Sequence, residues 1–518
     1  MTDKQHLLGV DIGTYSAKGV IVHRDGTVKA TRAVDYAVSF PRPGWAEHDA
    51  DAIWWSSLVR IVRHLLAVSG VAADDIAAVG CSAIGITMLP VDANGRPLRP
   101  SVLYGIDTRA VREIAALNAA LASEAPAGRP STVLSVNSIG PKIRWFRDHE
   151  PELFARTHKV LTASSYLAFK LTGAYAVDAY SVQGFEPLYD GDRQAWDPVA
   201  ARHVCDLDLM PTVHEPTDVV GTVHGAAAAE TGLAPGTPVI AGTVDAAAEA
   251  LSIGVAVPGE TMLMLGTTAF LTQVLAERHR HPGLWSAARF LAKGTYGLSA
   301  GLATSAALTR WFKDNFGQPE TAAAERDGTD AYGLLAEQAA AIPPGSEGLI
   351  VLPYFSGERA PLHDPKARGV IAGLTLSHTR MHLYRALLEG VAYSIRHNLE
   401  VMASIGADPP KLTTVGGGTK NALWLQIIAD CTGRRLEVPA QAIGASFGDA
   451  YLAGVGAGIF PDFEELRRSW ITIARSVEPN DATRAVYDVC YDVYRRTYPN
   501  LRAEMHDLAD LQAGTRGA

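Results

Sequence analysis

Cysteine is scarce in this chain: four in 518 residues, Cys81, Cys205, Cys431 and Cys490, far apart and without any C-x-x-C spacing. Neither a disulfide framework nor a zinc site is indicated. No apolar run is long enough to span a bilayer, and the beginning of the chain lacks the basic, apolar and small-residue segments of a secretory signal. Long blocks of one charge sign are missing too. Lys plus Arg total 46 against 55 Asp plus Glu, a dispersed net charge of −9, which argues against nucleic acid or an anionic membrane as partner and favours a small molecule. What remains is expected to be a cytoplasmic globular protein, too long for one core and folding as two domains of roughly 250 residues.

What is present begins with LLGVDIGTYSAKGVIV at 7–22, an apolar run that ends in a carboxylate, turns at Gly13-Thr14 and becomes strand-like again. A dinucleotide-binding turn would open a helix; here residues 17–22 read as a second apolar strand closed at Arg24-Asp25-Gly26, so a Rossmann unit is excluded. Gly13 and Thr14 can offer backbone N–H groups and a hydroxyl to a phosphate, with Asp11 placed to hold hydrated magnesium. An ordinary surface hairpin is the competing reading. A second copy in the other half of the chain, TMLMLGTTAFLT at 261–272, counts against it.

Around these hairpins the spacing predicts a helix over 49–69, with Leu58, Ile61, Val62, Leu65 and Leu66 inward and Asp49 or Asp51 as cap. Residues 76–82 read as a strand leading to Gly85-Ile86-Thr87, and 238–242 as a strand ending in a site at Asp245. The Pro258-Gly259 turn is the expected boundary, giving domains 1–256 and 257–505 and a tail 506–518. In the second half 349–353 is a strand, 380–405 a helix, 412–415 a strand, Gly416-Gly417-Gly418 a turn and 422–432 a helix, an order that suits phosphate or ribose at a helix N-terminus. A last helix begins near Asn480-Asp481 and stops at Pro499.

The two Gly-Thr hairpins, AGTVD at 241–245 and VGGGTKNALWLQIIAD at 415–430 together resemble the FGGY carbohydrate kinases, of the actin-like ATPase superfamily, over nearly the whole chain. Trp54-Trp55, Asp107-Thr108-Arg109, Leu171-Thr172-Gly173 and PYFSGERAP at 353–361 are further matches. The resemblance implies an α/β chain of two ribonuclease H-like domains, each a mixed five-stranded sheet flanked by helices, with sugar and ATP in an interdomain cleft. It implies ATP-dependent phosphorylation of a hydroxyl of a small sugar or polyol, of pentulose type. Asp245 stands where the family carries its catalytic base, and Asp11 would hold Mg2+ through water. Gly13, Thr14, Gly266, Thr267, Gly417, Gly418 and Asn421 would contact ATP, while Ile86, Asp107, Arg109 and Asp245 would meet the substrate. ATP and Mg2+ are the expected cofactors and a sugar or polyol the partner, with a homodimer as the candidate assembly. A helix cap is the other reading of Asp245, and holding their own loop is the other reading of Glu358 and Arg359.

Xylulokinase-like members carry Gln-Met-His-Gly where this chain has Ile84-Gly85-Ile86-Thr87, and several have asparagine where Ala246 follows Asp245. Losing that polar readout would leave substrate hydroxyls unpaired, so D-xylulose is expected to be a poor substrate. Fold alone does not make a kinase. A sugar-sensing protein without turnover and an actin-like ATPase with a protein client are the alternatives, and the first is disfavoured by retention of Asp245, Asp11 and both turns.

Overall fold

The computed structural model describes residues 4–124 and 133–514. The chain forms two compact units that are not contiguous halves. The first runs to Ala256 and also takes in Ala287–Thr295 and Ile443–Ile471; the second comprises Val257–Ser286, Tyr296–Ala442 and the chain from Thr472 onward. The main run of the first unit ends at Ala256, and two later segments return to it, which no composition shift announces.

In the first unit His6–Ile12 is buried along all but its first residue, as a strand with a partner on each side must be. It pairs antiparallel with Ser16–His23 and parallel with Ile76–Ala83. The sheet order is Val219–Thr222, Pro238–Ile240, Ile76–Ala83, His6–Ile12, Ser16–His23, Val28–Asp35, with Thr243–Val244 also on Ile76–Ala83. That is seven strands, not five: segments of two to four residues join the edge, too short to show a period in sequence. The helix expected over 49–69 opens with a wide turn, Ala50–Trp55, capped by Asp49, and continues as Ser56–Ser69. Leu58, Ile61, Val62 and Leu65 pack with Leu8, Val10 and Ile21 in one core. Asp51 instead accepts from the Tyr166 hydroxyl at 2.6 Å.

The helix Ala445–Gly456 lies hard against the middle of this sheet. A Cβ on Gly9 would stand 1.9 Å from the Ser446 carbonyl oxygen, and one on Gly80 would stand 2.3 Å from that of Asp449. Glycine in both strands is what lets the helix approach.

The second unit repeats the plan, in the order Trp285–Ala287, Tyr296–Leu302, Ala269–Leu275, Thr261–Leu265, Lys411–Val415, Arg435–Pro439, Ile473–Val477, again seven strands. Helix Arg380–Ser404 is buried over most of its length beside Ala422–Thr432. The last helix does not stop at Pro499. It spans Asp481–Gln512 with Pro499 inside it, because Tyr494 before the proline and Met505 and Ala509 after it are all buried. Tyr498 and His506 both bond Asp364 Oδ2 at 2.7 Å, fastening the helix on both sides of the break that proline would otherwise favour. The tail 506–518 is thus corrected to helix as far as Gln512, and 515–518 lie outside the described residues. Among the described residues no helix is long and apolar enough to cross a membrane, and all four cysteines are buried and free.

Candidate active site

Parallel register places Asp11 opposite Ser82, and Ser82 opposite Thr243 on the short strand beyond it. On the other side Asp11 faces Lys18. One row across the sheet thus carries Lys18, Asp11, Ser82 and Thr243, and the chain leaves Val244 directly into helix Asp245–Ser252. Asp245 is the first residue of that helix and Glu249 lies one turn on, on the same side. The N-cap is Val244, without a side-chain bond; Asp245 Oδ1 instead accepts from the N–H of Ala246 at 2.8 Å.

Three carboxylates therefore share one neighbourhood. Burial first, then the charges of Asp245 and Glu249, hold the Asp11 carboxyl well above the usual range, against the opposing pull of Ser82 and Lys18. Burial also pushes Asp245 up to about 6, although the N–H groups of Ala246 and Gly85 stabilise its ionised form. Glu249 is raised by burial and bonds the N–H of Ala445. Glu249 and Ser82 carried no signal in the sequence, since a lone glutamate in an Ala-rich helix and a serine in an apolar strand are both commonplace.

At the tip of the first hairpin Gly13 N–H is spent on the Ser16 carbonyl at 2.9 Å, which corrects the expectation that it faces a phosphate. Its carbonyl accepts from Tyr36 Oη at 2.7 Å, and Thr14 Oγ1 lies 3.2 Å from Tyr104 Oη. The second hairpin closes in the same manner, with Gly266 N–H on the Thr268 carbonyl at 2.9 Å. Its Gly266 and Thr267 carbonyls receive Ala306 and Ser305 N–H at 2.9 and 3.0 Å, so this tip is tied to the start of helix Ala306–Phe316.

Asp107 and Arg109 do not line an opening. Both side chains are fully buried; Arg109 Nη2 bonds Asp107 Oδ2 at 2.7 Å and Nη1 lies 2.8 Å from Glu47 Oε1. Asp107 Oδ2 also accepts from Ala46 N–H at 2.7 Å, and the guanidinium stacks 3.9 Å over Trp45. The motif was legible and its assignment to the substrate is corrected: a carboxylate whose oxygens are filled by backbone and guanidinium holds a loop. Ile86 sits in the loop whose Gly85 N–H reaches Asp245, half-buried, with its Cδ1 where a Cβ on Gly184 would come within 2.1 Å.

In the second unit the triple-glycine turn follows strand Lys411–Val415 and tightens into Gly417–Lys420 before the helix. Gly416 has φ +95°, and a Cβ there would stand 2.6 Å from the Leu265 oxygen, so its conformation and its space both require glycine. Gly418 is needed for packing, since a Cβ there would stand 2.8 Å from Leu265 Cβ, whereas a Cβ on Gly417 would meet open space. Asn421 caps Ala422–Thr432, its Oδ1 accepting from Trp424 N–H at 3.0 Å. Glu358 accepts the N–H groups of Ala303 and Arg359, each at 2.8 Å, the loop-holding reading of that residue.

A pair of seven-stranded mixed α/β units, the first holding a buried acid at a strand end beside a second acid at a helix start, and each with a Gly-Thr hairpin on a central strand, defines a class: the phosphotransferases of the actin-like fold. The family can be given as well. Residues 6–252 match the N-terminal domain and 261–457 the C-terminal domain of the FGGY family of carbohydrate kinases, and the chain belongs to that family. It is 31% identical over 503 residues to the xylulose kinase of Escherichia coli (strain K12), covering 95% of this chain and 99% of that one. Against the xylulose kinase of Bacillus subtilis (strain 168) it is 28% identical over 503 residues, 96% and 97% of the two chains. The crystal structure of xylulose kinase from Rhodospirillum rubrum superimposes with a TM-score of 0.88 at 31% identity, covering 97% of this chain and 100% of that one. The protein is a carbohydrate kinase.

Proposed function

We propose that this kinase transfers the terminal phosphoryl group of ATP to a primary hydroxyl of a small ketose of pentulose size. The observation that carries the reading is Asp245: a carboxylate at a helix start, held by the Gly85 and Ala246 N–H groups, with its acidity moved to about 6. A group of that strength is ionised at neutral pH and basic enough to take a proton as one is released. An alcohol is a far weaker acid, so Asp245 orients the hydroxyl early and accepts its proton as the oxygen bonds to phosphorus and the bond to ADP breaks.

Asp11 is the residue that would hold hydrated Mg2+. The fit rests on a carboxylate crowded by Asp245 and Glu249, a repulsion that a divalent cation relieves. An ion there would be bound mainly by water and substrate phosphates. When bound, magnesium neutralises charge on the phosphate oxygens. Thr14 and, in the second unit, Thr267 would contact the phosphates, and Gly417, with open space at its Cβ position, would let the nucleotide reach the main chain. Asn421 would act at the adenine end through Nδ2, since its Oδ1 caps a helix. Ile86 would meet the sugar. The pentulose assignment is supported by the xylulose kinases named above, and the sugar-sensing alternative has no support from them.

ADP release measured over a panel of pentuloses, hexuloses and polyols tests the reading. Turnover is expected with a pentulose and not with Asp245→Asn; no ADP release with any sugar, or an Asp245→Asn chain as fast as wild type, would overturn it.

A further inference from the structure

Ser82 lies beside Asp11 in register, and helix Ala445–Gly456 brings Asp449 to the same hydroxyl from 367 residues away. Ser82 Oγ is 3.1 Å from Asp11 Oδ1 and 2.7 Å from Asp449 Oδ2. A hydroxyl has one proton to give. If both acids were ionised, one of these contacts would press two lone pairs together in a buried site. Both contacts are satisfied when one acid is neutral and donates its own O–H to Ser82, which then donates to the other. Asp449 is the neutral one: it is 0% exposed against 9% for Asp11, and its Oδ1 has no hydrogen-bond partner, an omission far cheaper for a neutral carbonyl than for a carboxylate.

We propose that Asp449 is a positioning residue for phosphoryl transfer, fixing the Asp11 carboxylate through the Ser82 hydroxyl. The proposal rests on the reading that Asp11 serves the metal and phosphates. Asp11 is repelled by Asp245 and Glu249; a directed bond at Oδ1 opposes its rotation away from them and keeps Oδ2 available in one direction. Asp449 touches no reacting atom and acts two hydrogen bonds away.

Asp449→Asn, Asp449→Ala, Ser82→Ala and the double variant Ser82→Ala/Asp449→Ala test this in the full chain, by steady-state kinetics with varied Mg2+ and by calorimetry of Mg2+-dependent ATP binding. The amide of Asp449→Asn donates to Ser82 as the acid does and should keep kcat within about threefold of wild type. Asp449→Ala and Ser82→Ala should each lower kcat and raise the Mg2+ requirement about tenfold or more, the usual cost of losing a group behind a metal ligand. Sugar KM should stay within about twofold, and the double variant should add little to either single one. A wild-type Mg2+ requirement in Asp449→Ala, a loss in the asparagine variant equal to that in alanine, or losses that multiply would overturn the proposal. If Asp449→Ala fails to fold, Ser82→Ala and Asp449→Asn decide it. A wild type that phosphorylates no sugar would sink the kinase reading alone. Calorimetry then still decides, since weaker Mg2+-dependent ATP binding in Ser82→Ala supports the positioning role and unchanged binding refutes it.

Discussion

Tyr36 donates a 2.7 Å hydrogen bond to the carbonyl of Gly13, one strand over from the hairpin whose tip it fixes. The bond holds that carbonyl toward the protein, while Thr14 Oγ1 at the other end of the turn lies 3.2 Å from Tyr104 Oη. Tyr36→Phe keeps the ring and removes the bond. We expect a loss of about 1 kcal/mol in stability and a rise in KM for ATP of about three- to tenfold with sugar KM unchanged. Unaltered ATP kinetics would show that the tip needs no such support.

Asp245→Asn keeps the shape of the side chain and cannot take a proton. Phosphorylation should be lost while sugar affinity, measured by calorimetry, stays within about an order of magnitude. In the proposed base role the ionised form of Asp245 acts, so kcat should fall as pH drops through about 6 and level off above it.

D-Xylulose should be turned over poorly beside the best substrate, because Ile86 offers no hydrogen bond where a polar contact is expected. Each unmatched bond is worth about 1–3 kcal/mol. Ile86→His should improve kcat/KM for D-xylulose only in part, since Ala246 is unchanged and Gly184 has accommodated the isoleucine. Efficient wild-type turnover of D-xylulose would remove Ile86 from the pocket.

Arg109→Ala strips a fully buried partner from Asp107 and Glu47. Breaking such a pair costs about 3–5 kcal/mol, read as a lower midpoint of denaturation, while kcat per folded molecule should fall less than about threefold. A large rise in sugar KM with unchanged stability would return Arg109 to the substrate.

Burial lifts Glu358 to about 7 and Asp178 to about 6. Between the ordinary carboxylate range and those values the folded chain binds more protons than the unfolded one, so their contribution is full at acid pH and is lost as pH rises through 6 to 7. Thermal midpoints should therefore rise from pH 8 to pH 5.5. Glu358→Gln keeps an oxygen for Ala303 and Arg359 N–H and should flatten part of that slope; a slope unchanged in the variant would assign it elsewhere.

Local hydrogen-bond geometry explains what was legible. Both hairpins, the triple-glycine turn and the strand-to-helix step before Asp245 lie within a few residues of their own partners, and their spacing carries them. The exchange of side chains over hundreds of residues does not write a period into either segment, so neither Asp449 nor Ser82 is legible in the sequence. Asp107 and Arg109 were visible as a motif, but their role depends on Glu47 and Trp45 closing over them, a matter of burial. At Pro499 the opposite holds: a strong local rule is overridden by Asp364, which holds Tyr498 and His506 from elsewhere in the chain.

Gly9 and Gly80 were left bare so that helix Ala445–Gly456 could rest on them, and that helix is encoded nearly two hundred residues after the main run of the first unit ends at Ala256. A gene cut at codon 256 would therefore yield a sheet with one face uncovered and two bare glycines side by side in its central strands. A fragment running to 256 should misfold or aggregate unless Ile443–Ile471 is supplied to it as a separate peptide or spliced on by a linker.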